Sequence, residues 1–176
     1  MNIEEKKQKS LRILRGLALK EGINRQLDAI IQRAAEAVVL LKPENGRMSD
    51  MRENQIRNVV NVAAESKRVE VVTNFIRYQI GRSSSGKQWQ YNGFGERVIR
   101  DIEEGAVAKG AQQAAEVAFE EIEKRGGTAD KKRLCEEGYV LLMEQYLGYL
   151  NRAFYYCDKT KCWDKVVERK GVCESV

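Results

Sequence analysis

Histidine is absent from all 176 residues. Its absence removes Ser-His-Asp and Cys-His nucleophilic machinery, the HExxH zinc site, and the side chain most often used for proton transfer near neutral pH. Carboxylate pairs remain, but on a helical chain with 26 acidic residues neighbouring carboxylates read mostly as solvated faces. Proline occurs once, at Pro43, and no Asn-Gly or Asp-Gly turn separates two alternating strands, so nothing argues for a sheet. No apolar run approaches the roughly 18 residues of a membrane span. The short apolar stretch near the N-terminus is interrupted by Arg12, Arg15 and Lys20, which does not suit a secretory signal, and the expectation is a cytoplasmic protein without membrane association.

Cysteine is also sparse. Of Cys135, Cys157, Cys162 and Cys173, only Cys157 and Cys162 lie close together, as C-x4-C. Structural zinc sites need two tight pairs, or a pair with histidines, so these read as buried or incidental thiols in a reducing compartment. The glycines from Gly81 to Gly86 lack the phosphate-loop spacing and the preceding strand. The expectation is a non-catalytic chain with no cofactor and no metal.

What is present points to helices. Alanine, glutamate, lysine, arginine and glutamine are common, and apolar residues recur at helical spacing. The pattern predicts an all-α, compact helical bundle of about five to six helices. Residues 1–48 read as an N-terminal helical pair, 49–157 as the bundle core and 158–176 as a polar C-terminal tail.

A first helix over about 3–20 places Leu11, Leu14, Leu17 and Ala18 on one lane, and Gly22 reads as its punctuation. Asn24 reads as the N-cap of a second helix carrying Leu27, Ile30, Ile31, Ala34, Ala37, Val38 and Leu41. Asp50, with Glu53 three residues on, reads as a capping box for a third. Its lane of Ile56, Val59, Val60 and Ala63 resumes at Val69, Val72, Phe75, Ile76 and Ile80, with a break expected at Glu65–Arg68.

The serines and glycines of 82–93 predict a surface loop with Trp89 and Tyr91 exposed. From Phe94 to Arg125 the pattern is helical, with Gly105 and Gly110 marking a bend or two shorter helices. Gly126-Gly127 is a stop, Thr128 or Asp130 a cap, and a long last helix follows; Trp163, Val166 and Val167 read as a short docking turn.

Charge is unevenly spread. Lysines and arginines outnumber acids by 4 in residues 1–48 and by 4 in 49–100, whereas acids lead by 5 in 101–130. A basic first half and an acidic third quarter suit a polyanion on one side and a basic partner on the other. At 100° per residue, Arg57, Asn61, Ala64 and Arg68 share a lane beside the apolar one, if a single helix holds through 68. Guanidinium forks on such a lane match phosphate oxygens, although the spacing by itself favours the plainer reading of a solvated face with i,i+4 partners. Arg97 with Asp101, and Arg100 with Glu96, are such pairs. Arg82 and Lys87 lack nearby acids and lie beside Trp89 and Tyr91. The four either clamp a single strand by charge and stacking, or the tryptophan docks on the body or on a partner.

Gln55-Ile56-Arg57 opening a helix, the basic turn at Lys67-Arg68, and Arg77-Tyr78-Gln79-Ile80-Gly81-Arg82 closing the next resemble the small helical subunit of type III-A CRISPR–Cas effector (Csm) complexes. The resemblance covers mainly residues 50–104 and more loosely 134–157. It implies a non-catalytic subunit of an antiviral defence complex, stacked in several copies by self-association. The implied partners are crRNA and target RNA, the large subunit and the backbone subunits. RNA would be held by its backbone, with Arg57, Lys67, Arg68, Arg77, Arg82 and Lys87 as contacts and the acidic 101–130 segment facing a neighbour. The chain departs from the family in length, through residues 1–48 and the tail after 158. The small subunit of the related type III-B complex matches less well, and a helical adaptor or homodimer without nucleic-acid binding stays open.

Overall fold

Gly22 does not end the first helix, because its missing side chain is what lets that helix run on. α1 spans Ile3–Asn24, and a Cβ at Gly22 would stand 2.9 Å from the Cα of Ala114 on a later helix. The two backbones therefore meet where glycine and alanine face each other. The computed structural model describes residues 3–44, 46–82 and 87–167, with side chains from Glu5 onward. Ser83, Ser84, Ser85 and Gly86 of the expected loop, and the tail from 168 with Cys173, lie outside the described residues.

The remaining helices are α2 (Leu27–Val39), α3 (Glu53–Ser66), α4 (Val69–Arg82), α5 (Phe94–Glu103), α6 (Ala106–Lys124) and α7 (Lys131–Thr160). Single 3-10 turns stand at Tyr91–Gly93 and Asp164–Val166. The fold is an all-α bundle, with seven α-helices among the described residues where the sequence pattern predicted five to six. The extra one comes from Gly105, which divides 94–125 into α5 and α6, while α6 passes through Gly110 unbroken. Gly110 instead receives Leu142, whose Cδ1 lies 3.3 Å from where a Cβ would stand.

Two caps differ from expectation. Asn24 ends α1, and the residue before α2 is Gln26, which makes no side-chain cap bond. At α3 the cap position is Arg52 rather than Asp50: Gln55 Oε1 accepts from the Arg52 N–H at 2.9 Å, while the Asp50 N–H bonds the Lys87 carbonyl at 2.6 Å. Asp50 is thus drawn off to fasten a distant loop. Asp130 does cap α7, its carboxylate accepting from the Lys132 and Arg133 N–H groups at 2.9 and 3.3 Å.

α7, with 30 residues, is about 45 Å long at 1.5 Å per residue and forms the spine. α6, α2 and α3 pack along it, and α1 packs on α6. One apolar cluster takes residues from all seven helices, including Leu19 of α1, Ile30 of α2, Ile56 of α3, Ile76 of α4, Phe94 of α5, Ile122 of α6 and Leu142 of α7. The 1–48 helices therefore share their core with 49–157. The docking turn at Trp163 is present: its ring meets Phe154 edge-on at 6.4 Å, and Lys42 pairs with Asp164 at 2.8 Å.

The interior also holds a polar network. Asp101 is 3% exposed; its Oδ2 accepts from Arg97 Nε at 2.8 Å and from the Tyr146 hydroxyl at 3.1 Å. Arg97 Nη2 continues to Glu36 at 3.0 Å, and Glu36 also accepts from Arg33 and Gln32. The network joins α2, α5 and α7, and Arg97–Asp101 is one of the two pairs that spacing predicted; the other, Arg100–Glu96, does not close within 4.0 Å among the described residues. Burial, reinforced by the Asp101 carboxylate, pushes the Tyr146 phenol well above the ordinary tyrosine value. Burial works against the Glu36 charge, but hydrogen bonds from Arg33, Gln32 and Arg97 outweigh it and hold Glu36 below the usual carboxylate value.

Candidate nucleic-acid interface

α3 and α4 form a helical hairpin because the chain turns sharply at Lys67. That residue takes the left-handed conformation (φ 50°), and its N–H closes α3 on the Ala63 carbonyl at 2.9 Å. The two apolar lanes, Ile56, Val59 and Ala63 on α3 and Val72 and Ile76 on α4, both face the core. The outer surface is left to polar and basic residues.

All six candidate cations are exposed, but their situations differ. Arg68 follows the turn, so it does not extend the Arg57–Asn61–Ala64 lane of α3; with Lys67 it forms a separate cationic end of the hairpin. Arg57 is 57% exposed and pairs with Glu53 one turn earlier. Arg77 closes a two-point bond on Glu103 at 2.8 and 2.7 Å and a third on Thr73 Oγ1 at 3.3 Å. Its guanidinium thereby ties α4 to α5, which makes it the candidate whose fork is already engaged.

Arg82 occupies the last turn of α4, where the helix dipole favours a cation. The Lys87 carbonyl accepts from the Asp50 N–H and the Ser49 hydroxyl, which pins its backbone and leaves its ammonium exposed. Arg52, passed over in the sequence, stands exposed at the start of α3; its place at the head of the basic stretch was the available signal. Among the described residues, Arg52, Lys67, Arg68, Arg82 and Lys87 form no ion pair within 4.0 Å.

The Asp50–Lys87 bond brings the start of α3 and the segment after α4 to one end of the hairpin. Arg52, Arg82 and Lys87 thus belong to that end, and Lys67 and Arg68 to the other. Fourteen residues of α3 separate the two ends by about 20 Å.

Of the two readings of the loop aromatics, docking on the body is the one realised, and no clamp is assembled. Trp89 is fully buried, with its ring 5.3 Å from that of Phe94, and Tyr91 is 5% exposed. The Tyr91 hydroxyl donates to the carbonyls of Lys42 at 3.3 Å and Arg47 at 3.1 Å. Gly95 is the reason the segment folds inward. Its N–H bonds the Trp89 carbonyl at 2.7 Å, and a Cβ there would press on that oxygen and on Ile80. Neither ring has a free face for a base, so what remains is a charge-based surface.

Opposite in sign, α6 exposes Glu116, Glu120 and Glu123 on its outer face. Among the described residues, no three of His, Cys, Asp and Glu lie together so as to hold a metal ion, and no helix is long and apolar enough to cross a membrane. Compared with known families, curated proteins and solved structures, the chain matches none.

Proposed function

We propose that this chain binds RNA through its phosphate backbone along the α3–α4 hairpin, as a non-catalytic small subunit of a type III CRISPR RNA-guided effector complex. The observation that carries the binding surface is the set of cations without ion-pair partners at both ends of one exposed hairpin. Arg57 joins them: an exposed pair such as Arg57–Glu53 contributes little, so its guanidinium exchanges carboxylate for phosphate at small cost. The subunit role rests on the resemblance of Gln55–Arg57, Lys67-Arg68 and Arg77–Arg82. Its partners are crRNA and target RNA, held without reading sequence, together with the large and backbone subunits and further copies of the chain.

Titration of single-stranded RNA by filter binding at about 50 and about 200 mM salt tests this reading. Six cations each neutralising one phosphate of a single strand give a log–log slope near −4, at about −0.7 per contact. Co-purification from the native host should bring crRNA and the large subunit. No salt-dependent binding at the lower concentration, or recovery without RNA, overturns it.

The second reading, a helical adaptor or homodimer without nucleic-acid binding, is favoured by Val71 and Tyr78, which are 44% and 60% exposed on α4. A stable dimer in sedimentation, insensitive to salt and to RNA, selects it.

A further inference from the structure

A cleft of about 600 Å³ lies between α1 and the start of α7, away from the hairpin. Arg12 and Arg15 line it from α1, Arg133 from α7, and Thr128 from the segment between α6 and α7. Gly16 leaves its α1 wall open, since a Cβ there would meet nothing within 4 Å. Glu137 organises the arginines: its Oε1 accepts from Arg15 Nη2 at 2.8 Å and from Arg133 Nε at 3.1 Å. One carboxylate oxygen therefore draws two guanidiniums together, at a point where they would otherwise repel.

Each of those guanidiniums uses one nitrogen on Glu137, and Arg12 forms no ion pair among the described residues. Three cations against one carboxylate leave the cleft with an excess of two positive charges. It opens beside the N-terminal end of the longest helix, where the helix dipole adds to the attraction for an anion. Planar forks of this kind match tetrahedral oxyanions with several paired N–H donors.

We propose that the α1–α7 cleft binds a phosphate group, with Arg12, Arg15 and Arg133 as donors and Glu137 as the residue that positions two of them. The phosphate comes from either of two sources: a small phosphorylated molecule or a nucleic-acid backbone. The site shares no residue with the α3–α4 hairpin and does not depend on that surface.

The test is calorimetric titration of inorganic pyrophosphate into the full chain at low salt, beside Arg12→Gln/Arg133→Gln and Lys67→Gln/Arg68→Gln. Both double variants change exposed side chains, and unfolding temperatures near that of the parent confirm that each is folded. The expected result is saturable binding at one site, weakened about tenfold or more in Arg12→Gln/Arg133→Gln and unchanged in Lys67→Gln/Arg68→Gln. A short single-stranded RNA then identifies the source. Competition with pyrophosphate that Arg12→Gln/Arg133→Gln abolishes makes the cleft a backbone contact, and pyrophosphate binding without competition makes it a small-molecule phosphate site. Absence of saturable pyrophosphate binding, or equal affinity in both double variants, overturns the proposal, whatever the hairpin variants do to RNA.

Discussion

The Tyr146 hydroxyl donates to the buried Asp101 carboxylate at 3.1 Å, joining the middle of α7 to α5 across 45 residues of sequence. The same Oδ2 also accepts from Arg97, so removing the phenol leaves the carboxylate with its charged partner. Tyr146→Phe should destabilise the fold by about 1.5 kcal/mol, the lower end for a hydrogen bond to a charged group. Asp101→Ala should cost more, about 3 kcal/mol, because it leaves the Arg97 guanidinium with Glu36 as its remaining carboxylate and the buried Tyr146 hydroxyl without its acceptor. Chemical denaturation of the two variants checks the order. Equal, small losses would mean that the network contributes little to holding α5 on α7.

That network also contributes to both limits of the pH range. Tyr146 has its folded-state value raised, chiefly by burial. Its contribution to stability is complete below the ordinary tyrosine value near 10 and is lost as pH climbs above it. Glu36 has its folded value lowered by Arg33, Gln32 and Arg97 against the opposing effect of burial. Its contribution is present above the unfolded value of 4.5 and disappears as pH falls through the lowered one. Unfolding temperatures measured across pH should therefore drop on both flanks. Tyr146→Phe should flatten the alkaline flank and Glu36→Gln the acid one.

What sequence could and could not reveal divides by distance along the chain. The lanes Ile30–Ala34–Val38 and Ile56–Val59–Ala63 were legible because helical burial repeats locally, and so was the i,i+4 pair Arg97–Asp101. The turn at Lys67 was legible because polar residues separate two lanes. Arg97–Glu36 spans 61 residues and Arg77–Glu103 spans 26, so neither leaves a local trace. Trp89 misled for the same reason. Its polar neighbours suggest solvent, while its burial depends on Gly95 and Phe94 offering a seat six and five residues on. The six candidate cations all lie on the surface, but the engaged fork of Arg77 and the separation of Arg68 from the α3 lane required the folded chain.

Gly22 offers a sharp test of the α1–α6 contact. Alanine is the better helix former by about 1 kcal/mol in an exposed interior, yet here its methyl would press on the backbone of Ala114. Backbone cannot swing aside as a side chain can. Gly22→Ala should therefore lower stability by about 1–3 kcal/mol, a fall of several degrees in unfolding temperature for a chain of this size. Gly16→Ala, on the same helix with open space at its Cβ, should instead hold or gain stability. Matching gains in both variants would contradict the close approach.

Tryptophan emission separates charge-based RNA binding from stacking. Trp89 is fully buried and Trp163 is 8% exposed, so both should emit at short wavelength and resist quenching by iodide. If RNA is held by cations alone, adding it to a Trp163→Phe variant should leave the remaining emission of Trp89 nearly unchanged while filter binding shows the complex. Strong quenching on RNA addition would mean that the 87–93 segment opens to offer its aromatic rings, and the buried seat on Gly95 would then be one of two states.

Cys157 provides a chemical probe of how tightly the end of α7 is held. It is fully buried, and burial, with smaller contributions from Cys162 and Asp164, pushes its thiol up to about 11. At pH 8 only about one molecule in a thousand would carry the reactive thiolate, even before access is considered. Cys162 is partly exposed beyond the end of the helix. Alkylation of the native protein at pH 8, with sites assigned by mass spectrometry, should therefore modify Cys162 well before Cys157, and denaturant should bring the two rates together. Comparable native rates would show that the last turns of α7, with Phe154 and Trp163 packed beside them, open far more often than their burial implies.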